Sequence, residues 1–342
     1  MVAEDNLTEY KEKKKKPFKD VLRILISLIA FICLIKFGKV DIKVAFKYLL
    51  TVNPFYFGLA YLCYFLATFI GGIRFYFSSS VLGFKKTYPQ LVQLNFIGTF
   101  FNNFLPTTFG GDALRGYYLK KGAPISMTKA VACIVYERYT GVIILFWAAS
   151  IAFILQDLGI ITTSEWSLPT QLKLFSHAGS FVTIFLIPFL PQVHRTVLGE
   201  TSWLYKKAIE PFLVYWHDLQ LMAKIIITSV VLQMIVMLCH FFIARSLNIQ
   251  IPLTYYLVFY PLTTIAGFMI PSLNGLGIRE GAYIYFLKKV NIGSEQALAF
   301  SICWLIVLLI TSVIGGIIYV VGDFREHKFS EDMQQIEVEE GL

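Results

Sequence analysis

The chain has 342 residues, 56% of them hydrophobic and only 15% charged, with a formal net charge of +8. That balance excludes an ordinary soluble domain and fits a chain of several membrane-spanning helices. The positive charge is not a nucleic-acid footprint, because the basic residues lie mostly in short loops beside apolar runs, where they carry topology.

Residues 1–20 form a cytoplasmic arm with the basic run "KEKKKKPFK". The apolar stretch 21–37 that follows has no A-x-A-like cleavage site and reads as a retained anchor. Its lysine flank either sets topology or meets anionic headgroups. After the amphipathic piece "KVDIKVAFKYLL", a span is expected over 54–77. The segment 91–110 is apolar but interrupted by Asn102, Asn103, Pro106 and the pair Gly110 and Gly111, which points to a re-entrant hairpin. Spans over 127–155 and 174–191 flank an acidic loop, 156–172. A polar stretch, 192–222, reads as an amphipathic cytoplasmic helix before the span 223–246. Then "YPLTTIAGFMIPSLNGLGIREGAYIYFLKK" repeats the interrupted pattern, and a last span, 296–321, leads to an acidic tail expected to be disordered.

Several of these runs reach the roughly 20 residues needed to cross about 30 Å of hydrocarbon, so the spans are helices. The expected fold is an all-α polytopic membrane protein with six full spans and two re-entrant hairpins, in a single transmembrane domain over 21–322 and with a tail over 323–342. With the N-terminus inside, 20 of the 30 Lys and Arg fall on cytoplasmic stretches and 9 on outer ones, Arg138 lying within a span. This bias predicts a multi-pass protein of the cell membrane with both termini cytoplasmic. The five cysteines are scattered singly, and none of the five histidines has a ligand partner at i+3 or i+4. Neither a disulfide framework, a metal site nor a cofactor is expected.

Shifting the sequence by about 165 residues exposes a weak duplication: Leu82 falls on Leu247, Pro106 on Pro271, Gly110 on Gly275 and Tyr118 on Tyr283. After a drift of two or three residues, "YYLKKGAPISMTKAVA" lines up with "YFLKKVNIGSEQALA". The halves, about 54–155 and 223–321, would run in opposite directions through the membrane. Inverted repeats with a broken helix at corresponding positions mark a transporter whose site lies near the midplane.

Within the first interrupted segment, Asp112 is placed to cap the helix that follows, and Arg115 lies three residues on, along the same face. Free N–H groups at that helix start suit a phosphate, to which Arg115 could add a bidentate contact. The alternative is that the two merely cap and pair. Asn102 and Asn103 would either satisfy broken backbone or touch a headgroup. Glu137 and Arg138 fall near mid-bilayer, where charge is costly and functional by default. Being adjacent they diverge by roughly 100°, so each needs its own partner, with Arg115, Arg74 and Glu280 as candidates. The second segment supplies Asn274, Gly275, Gly277, Arg279 and Glu280. Its Gly-x-Gly follows no strand, which argues against a nucleotide loop and for a tight turn.

"NNFLPTTFGGDALRGYYL", then "YERYTG" and "IPSLNGLGIREGA", resembles the flippase-like family that includes the membrane domain of lysylphosphatidylglycerol synthase. The similarity runs from about residue 20 to 321. The family's Asn…Leu-Pro motif falls on Asn103 to Pro106, its Gly-Gly-Asp…Arg motif on Gly110 to Arg115, its acidic-Arg pair on Glu137 and Arg138, and its Gly-x-Gly-x-Arg-Glu motif on Gly275 to Glu280. What the resemblance implies is movement of a polar-headed lipid between leaflets. The bifunctional synthases carry a soluble aminoacyl-transferase domain after the membrane region. Leu342 leaves no room for one, so lysyl transfer is not expected.

The leading expectation is thus a lipid flippase or transporter rather than an enzyme. Its partner would be a membrane lipid, phospholipid or polyprenyl-phosphate-linked, with a homo-oligomer left open and nucleic acid excluded. Arg115 and Arg279 would bind phosphate, while Asp112, Glu137 and Glu280 balance charge or recognise an amine. The competing readings are a membrane-embedded transferase acting on a lipid phosphate, and an accessory subunit whose polar residues only join helices.

Overall fold

The computed structural model describes residues 41–104, 110–161, 166–183, 196, 210–216, 218–269 and 275–322. Every regular element among them is helical. In chain order these are α1 (Ile42–Leu50), α2 (Pro54–Val81), α3 (Tyr88–Phe104), α4 (Gly110–Lys120), α5 (Met127–Asp157), α6 (Thr170–Phe181), α7 (Leu219–Ser246), α8 (Tyr256–Met269), α9 (Ile278–Lys288) and α10 (Ser294–Val321). A short turn of helix, Glu210–Leu213, precedes α7. The all-α polytopic expectation holds.

Among the described residues four helices, α2, α5, α7 and α10, are long and apolar enough to cross a membrane. At 1.5 Å per residue a 28-residue helix is about 42 Å long, more than the hydrocarbon thickness. Exposed Leu62, Leu66, Ile151, Ile227, Met234 and Ile317 on these helices suit contact with lipid rather than water. The span expected over 21–37 lies outside the described residues. The one over 174–191 coincides with α6 as far as Phe181, and everything beyond Thr183 lies outside them.

Short polar residues set the helix starts. Asn53 caps α2, its Oδ1 accepting from the N–H groups of Phe55 and Tyr56 at 3.0 and 3.4 Å, with Pro54 as the first helical residue. Asp218 does the same for α7 through Leu221 N at 2.9 Å. The two helices also end alike. Gly83 (φ +87°) and Asn248 (φ +55°) take the left-handed conformation after Leu82 and Leu247. Beyond them Phe84 N donates to Ser79 O at 3.2 Å, and Ile249 N to Ala244 O at 2.8 Å. This is one Schellman-type termination, built twice at positions 165 residues apart.

Packing follows a similar exchange between halves. Helix α2 lies along α7. In one half α3 packs on α10 and folds back on α4; in the other α8 packs on α5 and folds back on α9. Glycine permits the closest approaches. A Cβ on Gly72 would stand 2.6 Å from Val92 Cα, and one on Gly315 would stand 2.0 Å from Phe96 O. In the described residues the two interrupted segments are pairs of helices, 17 and 11 residues in the first and 14 and 11 in the second, each shorter than the roughly 20 residues of an ordinary span.

Two apolar clusters form the interior. One gathers Ala60, Ala67, Leu145, Phe153, Val236 and Phe259 with their neighbours. The other gathers Phe75, Leu91, Leu119, Cys133, Tyr136 and Ile225. On α2, α5 and α7 alike the buried members of the clusters leave a gap, over residues 68–74, 137–144 and 226–235, which only partly buried Tyr139, Val142, Leu232 and Ile235 enter from the two sides. Arg74, Glu137, Arg138, Ser229 and Gln233 all fall in that gap.

Candidate functional site: a polar belt between two apolar cores

Glu137 is the eleventh residue of α5, about 15 Å from its start. Its side chain is 1% exposed and is held from two sides. Arg74 Nε of α2 donates to Oε1 at 3.4 Å, and Arg115 Nη2 of α4 donates to Oε2 at 2.5 Å. Arg74 also reaches Ser229 Oγ of α7 at 3.4 Å, joining three of the four long helices, α2, α5 and α7, through one guanidinium. Although it sits near the end of the expected span, Arg74 is thus a member of the interior network rather than a cytoplasmic flank.

Arg138 turns away from Glu137, as the 100° step requires. Its Nε and Nη2 donate to Asp112 Oδ2 at 3.0 and 2.8 Å. Its side chain remains 37% exposed. The partner is Asp112, not Glu280. Asp112 further accepts from Asn102 Nδ2 and Arg115 Nη1 on Oδ1, both at 3.4 Å.

One expectation for the first motif needs correction. Asp112 is the third residue of α4 rather than its cap, because α4 begins at Gly110. The N–H of Gly111 is taken by Asn102 Oδ1 at 3.0 Å, so the asparagine replaces the aspartate in satisfying the helix start. Arg115 is held within the protein through its two Nη atoms, while its Nε has no partner. Its forks are occupied by Glu137 and Asp112, its guanidinium lies 4.1 Å above the Phe75 ring, and it is buried. Close backbone contact locks this arrangement: a Cβ on Gly111 would meet Gly98 O at 2.0 Å, and one on Gly98 would meet Arg115 Cδ at 2.3 Å. Asn103 faces α10 instead, donating to Ser312 Oγ at 2.5 Å. Pro106 lies outside the described residues.

The second motif is placed correspondingly. Glu280 is the third residue of α9, as Asp112 is of α4. Its Oε2 accepts from Gly277 N at 2.5 Å and its Oε1 from Arg279 Nη2 at 3.2 Å. Gly275 and Gly277 have φ of +79° and +84°, which only glycine adopts without strain, so the tight turn is as expected. Asn274 lies outside the described residues.

Between the two helix pairs is a cavity of about 310 Å³. Arg74, Arg138, Arg279 and Glu137 line it, together with Asn102 and Asn103. Asp112, Arg115 and Glu280 stand behind the wall, while Gly275 reaches it. Sequence reasoning missed other members of that wall. Gln233 of α7 donates to Gly141 O at 3.4 Å and accepts from Tyr260 OH at 2.5 Å, tying α7 to α5 and α8. Tyr283 lines the cavity too, its hydroxyl 2.7 Å from His240 Nε2. Because Val236 O, which can only accept, lies 2.8 Å from Nδ1, that nitrogen carries the proton and Nε2 accepts from Tyr283. A single polar residue in a long apolar run was the only signal these positions offered.

Against known sequences, the model of the lysylphosphatidylglycerol synthase TM region matches residues 21–316. The chain belongs to this family. A second likeness is to a UPF0104 membrane protein of Methanocaldococcus jannaschii, 31% identical over 126 residues, which is 36% of this chain and 37% of that protein. The lysylphosphatidylglycerol synthase TM family match encloses both helix pairs and the whole polar belt.

Proposed function

We propose that the protein is a lipid carrier, moving a polar-headed phospholipid or polyprenyl-phosphate-linked lipid between the leaflets of the cell membrane. The observation that carries this reading is the cavity at the level of the belt, with guanidiniums from α2, α5 and α9 on its wall. Charge so deep in a membrane-spanning bundle is costly and is kept where it handles a polar substrate. The pairs α3–α4 and α8–α9 would be re-entrant and enter from opposite sides, the two halves forming inverted repeats, both chain termini being cytoplasmic. The headgroup would occupy the cavity while the acyl chains stay outside it. An apolar groove of about 550 Å³ between α5, α7 and α8 supports that division, because Gln233 lines both spaces.

Phosphate contact stays, in this reading, with Arg279 and passes from Arg115 to Arg138 and Arg74, which line the cavity. The test is exchange of fluorescent phospholipid between leaflets of vesicles holding the purified protein, read by a quencher that reaches only the outer leaflet. Protein-dependent loss of protection supports the carrier. Absence of exchange across a panel of phospholipids and polyprenyl phosphates refutes it.

A further inference from the structure

Helix α1 stands apart from the polar belt, and its nine residues have three faces rather than two. At about 100° per residue, Ala45, Tyr48 and Leu49 fall on one side, Ile42, Phe46 and Leu50 on a second, and Lys43 and Lys47 on a third. The first side is packed. Ala45 is 1% exposed, and Tyr48 and Leu49 are half-buried against the larger apolar cluster, with α10 as a neighbouring helix. The second side is bare: Ile42, Phe46 and Leu50 are 52, 60 and 75% exposed.

Contacts between the helices place α1 at one end of the bundle. It precedes α2 directly, and Asn53 N at the start of α2 donates to Ser246 O at the end of α7 at 2.8 Å. Helices α2 and α10 both run antiparallel to α3. Thr68 O accepts from Asn95 and Gly72 abuts Val92, while Ser312 accepts from Asn103 and Gly315 abuts Phe96. The starts of α2 and α10 therefore share that end with α1.

Basic residues gather there. Lys43 and Lys47 are exposed, as are Arg245 beside Ser246, Lys288 at the end of α9 and Lys289 following it. Asp41, the acidic residue next to the two lysines, is committed to the helix start, its Oδ1 accepting from Lys43 N and Val44 N at 2.8 and 3.3 Å. The apolar side of α1 continues onto exposed Phe55 and Leu62 of α2, so it opens on the same surroundings as the lipid-facing side of that span. A helix with one apolar and one basic face lies in the plane of a membrane, with its lysines at the level of the phosphates. In the orientation proposed above, on which only this point rests, the end faces outward, where lysines do not serve to retain a loop.

We propose that α1 is an interfacial helix that gathers anionic lipid outside the central cavity. Ile42, Phe46 and Leu50 enter the leaflet at this end of the bundle, and Lys43 and Lys47, one turn apart, hold the phosphates of acidic phospholipids beside it.

The experiment places a donor fluorophore at Val44→Cys, off both faces, in the full chain with its native cysteines replaced, reconstituted in nanodiscs that hold a trace of acceptor-labelled lipid. Energy transfer is expected to show labelled phosphatidylserine enriched beside α1 by about fivefold or more over labelled phosphatidylcholine, and rising salt to erase the difference. Lys43→Gln with Lys47→Gln is expected to remove the enrichment, and Lys43→Arg with Lys47→Arg to keep it. Equal transfer to the two lipids overturns the proposal, as does a preference that the glutamine pair leaves intact. A spin label at Phe46→Cys reads the apolar face. Free access of oxygen to it is expected; a label held immobile and closed to oxygen would mean that protein, a second copy or another segment of this chain, covers the face, and overturns the proposal. If the cysteine-replaced chain does not fold, the native chain and its glutamine pair are compared by native mass spectrometry for the phosphatidylserine they retain. Less on the glutamine pair supports the site, and equal retention overturns it.

Discussion

Arg115 of α4 and Glu137 of α5 form a buried ion pair at 2.5 Å that is itself braced on both sides, by Asp112 on the arginine and by Arg74 on the glutamate. Removing one partner of such a pair strands the other charge, at a cost of about 3–5 kcal/mol. Glu137→Gln is therefore expected to lower the unfolding midpoint sharply, and Arg115→Met likewise. The double variant Arg115→Met with Glu137→Met is expected to be less damaging than the sum of the two. Additive losses in that cycle would show that the pair is not coupled.

Arg138 should behave differently. It lies on the cavity wall with more than a third of its side chain exposed, and Asp112 keeps Arg115 and Asn102 without it. Arg138→Gln is expected to slow lipid exchange by about tenfold or more while moving the unfolding midpoint far less than Glu137→Gln. A variant that unfolds early and exchanges normally would reverse that assignment.

The glycine contacts give a prediction that needs no ligand. Gly98→Ala and Gly111→Ala each drive a methyl into a neighbouring side chain or backbone, where overpacking costs about 1–3 kcal/mol or more. Gly58 of α2 has open space where a Cβ would stand, with nothing within 4 Å, so Gly58→Ala is expected to be neutral or stabilising by about 0.5–1 kcal/mol. Thermal unfolding of the three variants side by side checks both halves of the statement.

The inverted arrangement of the halves is testable by labelling. Lys129, beside the start of α5, and Lys289, following α9, are both exposed. With the five native cysteines replaced, Lys129→Cys and Lys289→Cys are expected to react with an impermeant maleimide from opposite faces of the membrane, Lys129→Cys from the cytoplasmic one. Reaction of both from one face would rule out the inversion.

Much of this is readable in the sequence alone. The paired endings after Leu82 and Leu247, the Asp112–Arg115 spacing and the divergence of Glu137 from Arg138 all follow from local periodicity, which a sequence carries directly. What it does not carry is who meets whom across the bundle. Gln233 and Tyr260 look like isolated polar residues in apolar runs, and only the packing of α5, α7 and α8 makes them one hydrogen-bonded seam. Arg115 is legible as a functional arginine but not as a shielded one. Its neighbours Phe75 and Glu137 lie 40 and 22 residues away in sequence. Gly98 belongs to no motif at all, and its role exists only where Gly111 and Arg115 press against it.

The central claim is that a lipid headgroup resides in the cavity walled by Arg74, Arg138 and Arg279. An experimental density map of the protein in nanodiscs rich in phosphatidylglycerol tests it most directly. The account predicts a phosphate peak within hydrogen-bonding distance of Arg74, Arg138 or Arg279, with the acyl density leaving past Gln233 into the groove between α5, α7 and α8. Ordered lipid confined to the outer surface, with only water between those arginines, would contradict it.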